Sequence, residues 1–370
     1  MQRRNFLKTA GLTGVALGLS PLGALAAAGD PPLPFDPTPA NGWRTFEVTT
    51  RIELLKPAGP AQAWLPLPAV DQAGWTRTLG DQWTSNADQV ERVMDPVYGA
   101  GFLHARWAAG AAPELEVVSR ITTRDRAVDF SRPGAVAPLS KAERSLWTRP
   151  TEMLPTDGIV RKTALDATRG AATDLEKARA LYDWVVDHTF RDPKTRGCGV
   201  GDIKAMLETG NLSGKCADLN ALYVGLARAV GLPARDVYGI RVADSRYGYR
   251  SLGKSGTISK AQHCRAEVWL AGFGWVPVDP ADVRKVILEE PPGNLARDDY
   301  KVRMAEGRLF GAWEMNWMAY NFGHDLSLPG SAGGKIPFLM YPQGETAAGR
   351  QDSLDPDSFK YTITSREVTA

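Results

Sequence analysis

The sequence predicts an α+β protein: an N-terminal β-sandwich-like region, then a cysteine-bearing helix packed on an antiparallel sheet. Three patterns carry this prediction. Short alternating segments rich in Thr, Val, Phe and Ile, punctuated by Pro, Gly and Asp, run to about residue 130. Apolar residues at helical spacing follow, with Leu219, Leu222, Tyr223, Leu226 and Val230 on one face behind Cys216. Two apolar strands, 263–270 and 275–280, flank Gly272-Phe273-Gly274 as a hairpin.

Taken in order, the first thirty residues read as an export signal rather than part of the fold. Arg3-Arg4 with Phe6-Leu7-Lys8 precede a moderately apolar stretch to Leu25, and Ala24-Leu25-Ala26 offers a small-residue cleavage site. This resembles a twin-arginine signal peptide and implies a periplasmic or otherwise exported protein that folds before export, in a compartment that keeps thiols reduced. Losing Arg3, Arg4 and Lys8 takes the formal charge from +2 to about −1. That balance gives no electrostatic case for nucleic acid or an anionic membrane as partner, and no apolar run predicts a membrane span.

Residues 31–135 are assigned to the N-terminal β domain. Pro31 to Asn41 is a linker, and strands are expected at Trp43–Leu55, Ala61–Leu67, Gln89–Met94, Phe102–Trp107 and Leu115–Thr123. Trp64, Trp75, Trp83 and Trp107 are assigned to core or edge packing rather than to a ligand groove. Residues 136–370 are assigned to the second domain, with its core at about 175–285. Ser131 to Gly158 reads as the passage between domains, and Thr173-Asp174-Leu175-Glu176 is a capping box opening a helix that ends at Arg191-Asp192-Pro193. His188 closes that helix as a structural histidine. A glycine-rich irregular stretch with Cys198 leads to Ser213-Gly214-Lys215, and Gly231 with Pro233 ends the next helix. Arg235 to Val242 reads as a strand and Ala243 to Ser259 as a long loop. Beyond Asp282 a charged stretch runs to Arg308, an aromatic cluster follows at Trp313, Trp317, Tyr320 and Phe322, and Phe359 to Val368 forms a last strand.

Cys216 stands in the first turn of its helix, where unpaired N–H groups and the helix dipole favour a thiolate. A cysteine nucleophile needs an imidazole to exchange protons and an acid to hold that imidazole in one tautomer, and the hairpin brings His263 close to a carboxylate near its exit. A two-residue turn at Gly272-Phe273 places His263 opposite Asp282. The amide of Cys216 is one oxyanion donor; Asn211, Trp184 or a loop amide could supply the second. Cys198 and Cys264 are read as free thiols, with a pairing between them as the alternative. His104 and His324 lack metal-ligand spacing, and there is no His-Glu-x-x-His, Cys-x-x-Cys, phosphate loop or Gly-x-Ser-x-Gly elbow, so no metal or other cofactor is expected.

Four blocks then share a resemblance: Gly214-Lys215-Cys216, Leu226 to Arg235, His263 through Glu267-Val268-Trp269, and Gly274-Trp275-Val276-Pro277-Val278-Asp279-Pro280. In this order they resemble the bacterial transglutaminase-like proteins, a branch of the papain-like cysteine enzymes. The likeness covers roughly Ala178 to Asp282, and extends more loosely to the β-rich front and to the segment from Trp313 to Pro342. It implies a papain-like core with Cys216 as nucleophile, His263 as general base and acid, and Asp279 as orienting carboxylate. Asp279 would require a bulge or bend in the hairpin, and Asp282 stays the rival. Where many members carry an aromatic residue two positions after the histidine, this chain has Arg265, expected to alter the cleft wall without touching the chemistry. The implied activity is acyl transfer from an amide or peptide through a thioester, resolved by water or an amine, on a protein, peptide or peptidoglycan-stem substrate. The alternative is a non-catalytic binding or assembly module in the cell envelope on the same fold.

Overall fold

The computed structural model describes residues 34–368 apart from 55, 56, 356 and 358. The twin-arginine segment at 1–30 lies outside the described residues.

Strand β1 (Arg44–Leu54) alternates between buried and exposed positions, as its Thr/Val/Ile pattern dictates. It begins a sandwich with β2 (Ala61–Pro66), β3 (Thr76–Ser85), β4 (Gln89–Met94), β5 (Gly101–Trp107) and β6 (Glu114–Thr123). β3 escapes the sequence pattern because it is an exposed strand with a register shift at Thr78/Gly80, where Gly80 has φ +120°. With period two broken there, no alternation is left to read. Ile52, Leu54 and Val117 from one sheet meet Ala63, Leu65, Leu103 and Trp107 from the other in a shared apolar core. Trp64, Trp75 and Trp107 are buried, while Trp83 is exposed on β3.

Helices α1 (Lys141–Thr148), α2 (Gly158–Ala167), α3 (Asp174–His188), α4 (Ile203–Thr209) and α5 (Cys216–Ala229) follow. α1 lies inside the stretch read as a passage; Ser140 and Glu143 cap each other there in a signal short enough to be masked by the surrounding prolines. α5 is buried on every side, which its Ala- and Leu-rich composition permits.

The second sheet is antiparallel: β7 (Ala234–Arg241), β8 (Gln262–Leu270), β9 (Gly274–Val278) and β10 (Trp317–Asn321), in the order β9-β8-β7-β10. The hairpin turn is not two residues long. Leu270 pairs with Gly274, leaving Ala271, Gly272 and Phe273 as the turn, with φ of +82° at Gly272 and +72° at Gly274. β9 ends at Val278, and Asp279 caps α6 (Pro280–Glu289) with a side chain that accepts from Asp282 N at 3.1 Å. This change from strand to helix brings Asp279 round to His263 without a bulge. α7 (Tyr300–Arg308) packs beside α6 within the charged stretch.

The chain then returns to the sandwich. β11 (Gln343–Thr346) pairs with β2, and β12 (Phe359–Val368) pairs along the whole of β1. With the two-residue strands Gly256–Thr257 and Gly349–Arg350, four of the ten strands in the two sandwich sheets come from beyond residue 250. β12 covers what would otherwise be the free edge of β1. Arg126 lies over the rings of Trp75 and Trp313, and these rings meet edge-to-face at 5.8 Å, so the aromatic cluster after α7 is packing.

Candidate active site

The segment before α5 is locked by one carboxylate. Asp218, in the first turn, accepts from Lys215 N (2.9 Å), Val200 N (3.0 Å) and Gly201 N (2.9 Å). No side chain fits at Gly199, where a Cβ would lie 1.8 Å from the Asp218 carboxylate and φ is +94°. Ala217 N then donates to Cys198 O (2.9 Å), and Asp218 N and Leu219 N both donate to Lys215 O. The Cys216 N–H is left without a hydrogen-bond partner in this turn among the described residues.

Cys216 is 5% exposed and His263 4%, and both line one cleft of about 830 Å³. On one side the His263 ring acts on the Cys216 thiol and helps to lower its pKa. On the other, its Nε2 lies 2.7 Å from Asp279 Oδ2 and 3.4 Å from Asp282 Oδ2. Asp279 makes the hydrogen bond; Asp282 is taken by Arg241, whose Nη2 donates to both its oxygens at 2.6 and 2.8 Å. The remaining oxygen of Asp279 accepts from Asn220 Nδ2 at 3.2 Å, and the same amide donates to Cys264 O at 2.7 Å. Asn220, one helical turn after Cys216, thus ties α5 to β8 and to the acid.

Three free cysteines meet here. The neighbouring thiols of Cys198 and Cys264, and the imidazole of His263, hold the Cys216 thiol well below its ordinary value against the opposing effect of burial, while Cys198 Sγ itself donates to Gln262 O at 3.3 Å. The Cys216 sulfur and burial push the Cys198 thiol up, and burial followed by Cys216 does the same to Cys264. For His263, burial works against the charged ring, but the carboxylates of Asp282 and Asp279 outweigh it and Arg241 together, raising its pKa to about 9. Burial and the Asp282 charge push Asp279 up. Asp282 is itself held well below the usual carboxylate range, since Arg241 and His263 outweigh its burial.

Arg265 does not lie on the cleft wall. His263 and Arg265, two apart on a strand, project to the same side, and Arg265 is buried with Nε 3.5 Å from Asp279 Oδ2. Its Nη1 donates to Glu314 O at 2.9 Å and its guanidinium covers the Trp317 ring. It therefore touches the acid directly, contrary to the expectation from sequence. Asn211 is engaged with Ser213, and Trp184 stacks on His188; neither lines the cleft. Oxygen and nitrogen donors of His263, Asp279 and Asp282 lie within 4.8 Å of one another, close enough to hold a metal ion. The guanidiniums of Arg241 and Arg265 already neutralise that cluster, a poor setting for a further cation.

Asn220 and Arg241 went unread in the sequence. The usable signal for Asn220 was an amide inside an otherwise apolar helix, one turn after the cysteine; Arg241 sits at the end of a strand with nothing to distinguish it.

Residues 161–280 match the family model described as the Transglutaminase-like superfamily core. An uncharacterized protein of Haemophilus influenzae is 35% identical over 345 residues, spanning 87% of this chain and 91% of that one. The chain belongs to one family with that protein and carries a transglutaminase-like domain. Among solved structures, a candidate cysteine protease from Cytophaga hutchinsonii shares the fold at a TM-score of 0.50 and 15% identity, over 88% of this chain and 98% of that one. The periplasmic domain of TgpA from Pseudomonas aeruginosa aligns with 66% of this chain and 88% of its own length, at a TM-score of 0.32 and 18% identity. No helix among the described residues is long and apolar enough to cross a membrane.

Proposed function

We propose that this transglutaminase-like protein is an exported cysteine enzyme that transfers acyl groups from amide or peptide donors through a thioester. One observation carries the reading: the His263–Asp279 hydrogen bond of 2.7 Å backs an imidazole that faces a buried thiol at a helix start, on the floor of a cleft. In the resting pair the proton sits on His263 and Cys216 is a thiolate. The thiolate attacks the carbonyl carbon, and the oxyanion accepts from the free N–H of Cys216. Collapse breaks the C–N bond, and the His263 proton leaves with the amine. Water or a second amine then attacks the thioester, gives its proton to His263 and releases the acyl group, restoring the pair. Asp279 orients the ring throughout, with Asn220 and Arg265 as positioning residues behind it. The twin-arginine segment supports an exported location, so envelope peptides, peptidoglycan stems and proteins are the substrates to test.

Iodoacetamide labelling of the mature protein between pH 5 and 9, followed at each cysteine by peptide mapping, tests this. Cys216 is expected to label far faster than Cys198 and Cys264 at neutral and mildly acidic pH, with the advantage lost in His263→Ala. Equal, slow labelling of all three cysteines, unaffected by His263→Ala, would refute it.

A further inference from the structure

The chain is nearly neutral, yet the cleft above Cys216 is not. Among the described residues eight lysine and arginine side chains line it, and no aspartate or glutamate does. Some of this charge is answered from outside the lining: Arg191 by Glu289, Arg196 by Asp352, Lys360 by Glu53 at 3.5 Å, and Arg241 by Asp282. Lys215, Lys254 and Lys260 have no carboxylate within ion-pair distance among the described residues. Lys215 immediately precedes the reactive cysteine at the start of α5, where the helix end adds positive potential. Lys254 and Lys260 are exposed and also line the cleft, in the long loop between β7 and β8. Cations also crowd one another here: burial, then the charge of Arg241 and more weakly Arg191, push Lys285 down to about 8, with Asp282 and Glu289 opposing. Gln262 Nε2, in the lining, is buried without a hydrogen-bond partner among the described residues. The cleft thus offers positive charge and, among the described residues, no carboxylate of its own to answer it.

On the reading of Cys216 as the acylated residue, we infer that the acyl donor is an acidic peptide, whose carboxylates flank the reacting amide and are received by Lys215, Lys254 and Lys260. A cleft of about 830 Å³ is the size that encloses a short peptide segment rather than a protein surface. The low-dielectric walls focus the field of these lysines, which steers an anionic chain in and rejects a basic one. A peptide is favoured over a nucleic acid because the chemistry at Cys216 requires an amide carbonyl, and because among the described residues no exposed aromatic side chain lines the cleft to stack on bases: Tyr341 and Phe359 are buried and Tyr361 is half-buried.

The test uses the mature chain with Cys216→Ala, so that binding is read apart from chemistry. The probes are fluorescein-labelled peptides with a central glutamine flanked by glutamates, by glutamines or by lysines, together with an oligothymidylate of matched charge. The glutamate peptide is expected to bind at least about tenfold tighter than the glutamine peptide at low salt, with the difference shrinking to about threefold or less at high salt. Adding Lys254→Glu and Lys260→Glu is expected to erase most of that preference and to strengthen binding of the lysine peptide, a gain that a misfolded protein does not give. Equal binding of all three peptides, or tighter binding of the oligothymidylate than of the glutamate peptide, overturns the inference. Wild-type alkylation, measured separately, reports on the thiolate reading alone, so either conclusion can fail without the other.

Discussion

Removing the charge of one of the two buried carboxylates beside His263 separates their roles. Asp279→Asn keeps an oxygen that can accept from His263 Nε2 and a side chain that can cap α6, where the native carboxylate accepts from Asp282 N. What it loses is the charge. A charge-assisted hydrogen bond contributes roughly 1.5–3 kcal/mol against about 1 for a neutral one, so the imidazolium loses about 0.5–2 kcal/mol. At 1.4 kcal/mol per factor of ten, Cys216 alkylation near pH 6.5 should slow by about 2- to 30-fold with the fold little changed. Asp279→Ala removes the bond and the cap together, and is expected to slow alkylation by up to about 100-fold and to cost about 1 kcal/mol of stability. Asp282→Asn strikes instead at the buried bidentate pair with Arg241, both partners being almost wholly buried. Leaving that guanidinium's charge uncompensated costs roughly 3–5 kcal/mol, so this variant should show a lower denaturation midpoint, and slower alkylation besides, because the Asp282 charge also raises the His263 pKa. The assays are alkylation rate and urea unfolding on the same preparations. An Asp279→Asn protein that alkylates as fast as wild type would refute the assignment of Asp279 as the orienting acid.

Three further outcomes follow from the site. His263 has a folded pKa of about 9 against 6.5 for the free side chain, so its protonation stabilises the fold fully below pH 6.5 and this contribution disappears as pH rises through about 9. Urea midpoints at pH 6, 8 and 10 should show a wild-type decline that His263→Ala lacks; a parallel decline in both would contradict this. Cys198→Ala removes the first hydrogen-bonding neighbour of the Cys216 sulfur and should slow its alkylation at acid pH several-fold, while Cys198→Ser, which keeps a donor, should recover most of the rate. Gly199→Ala sets a Cβ against the Asp218 carboxylate at a positive φ. It should lower stability by roughly 2–4 kcal/mol and loosen the Cys198 loop, visible as a lower melting temperature and faster labelling of Cys198.

Local periodicity and punctuation alone determine much of this protein. The alternation in β1 and β6, the capping box at Thr173 and the apolar spacing behind Cys216 are short-range signals, and they place strands and helices and set Cys216 at a helix start. The hairpin from His263 likewise limited the acid to Asp279 or Asp282. Tertiary structure alone decided between their surroundings, because the three-residue turn, the end of β9 at Val278 and the capture of Asp282 by Arg241 are contacts across the chain. It also set Arg265 behind the acid rather than on the cleft wall, gathered three cysteines separated by 18 and 48 residues around one sulfur, and carried β12 back to β1. The same holds for the charge of the cleft. A net balance near zero is a sum over the whole chain, whereas the potential at Cys216 depends on which lysines the fold brings to one wall and which carboxylates it turns away.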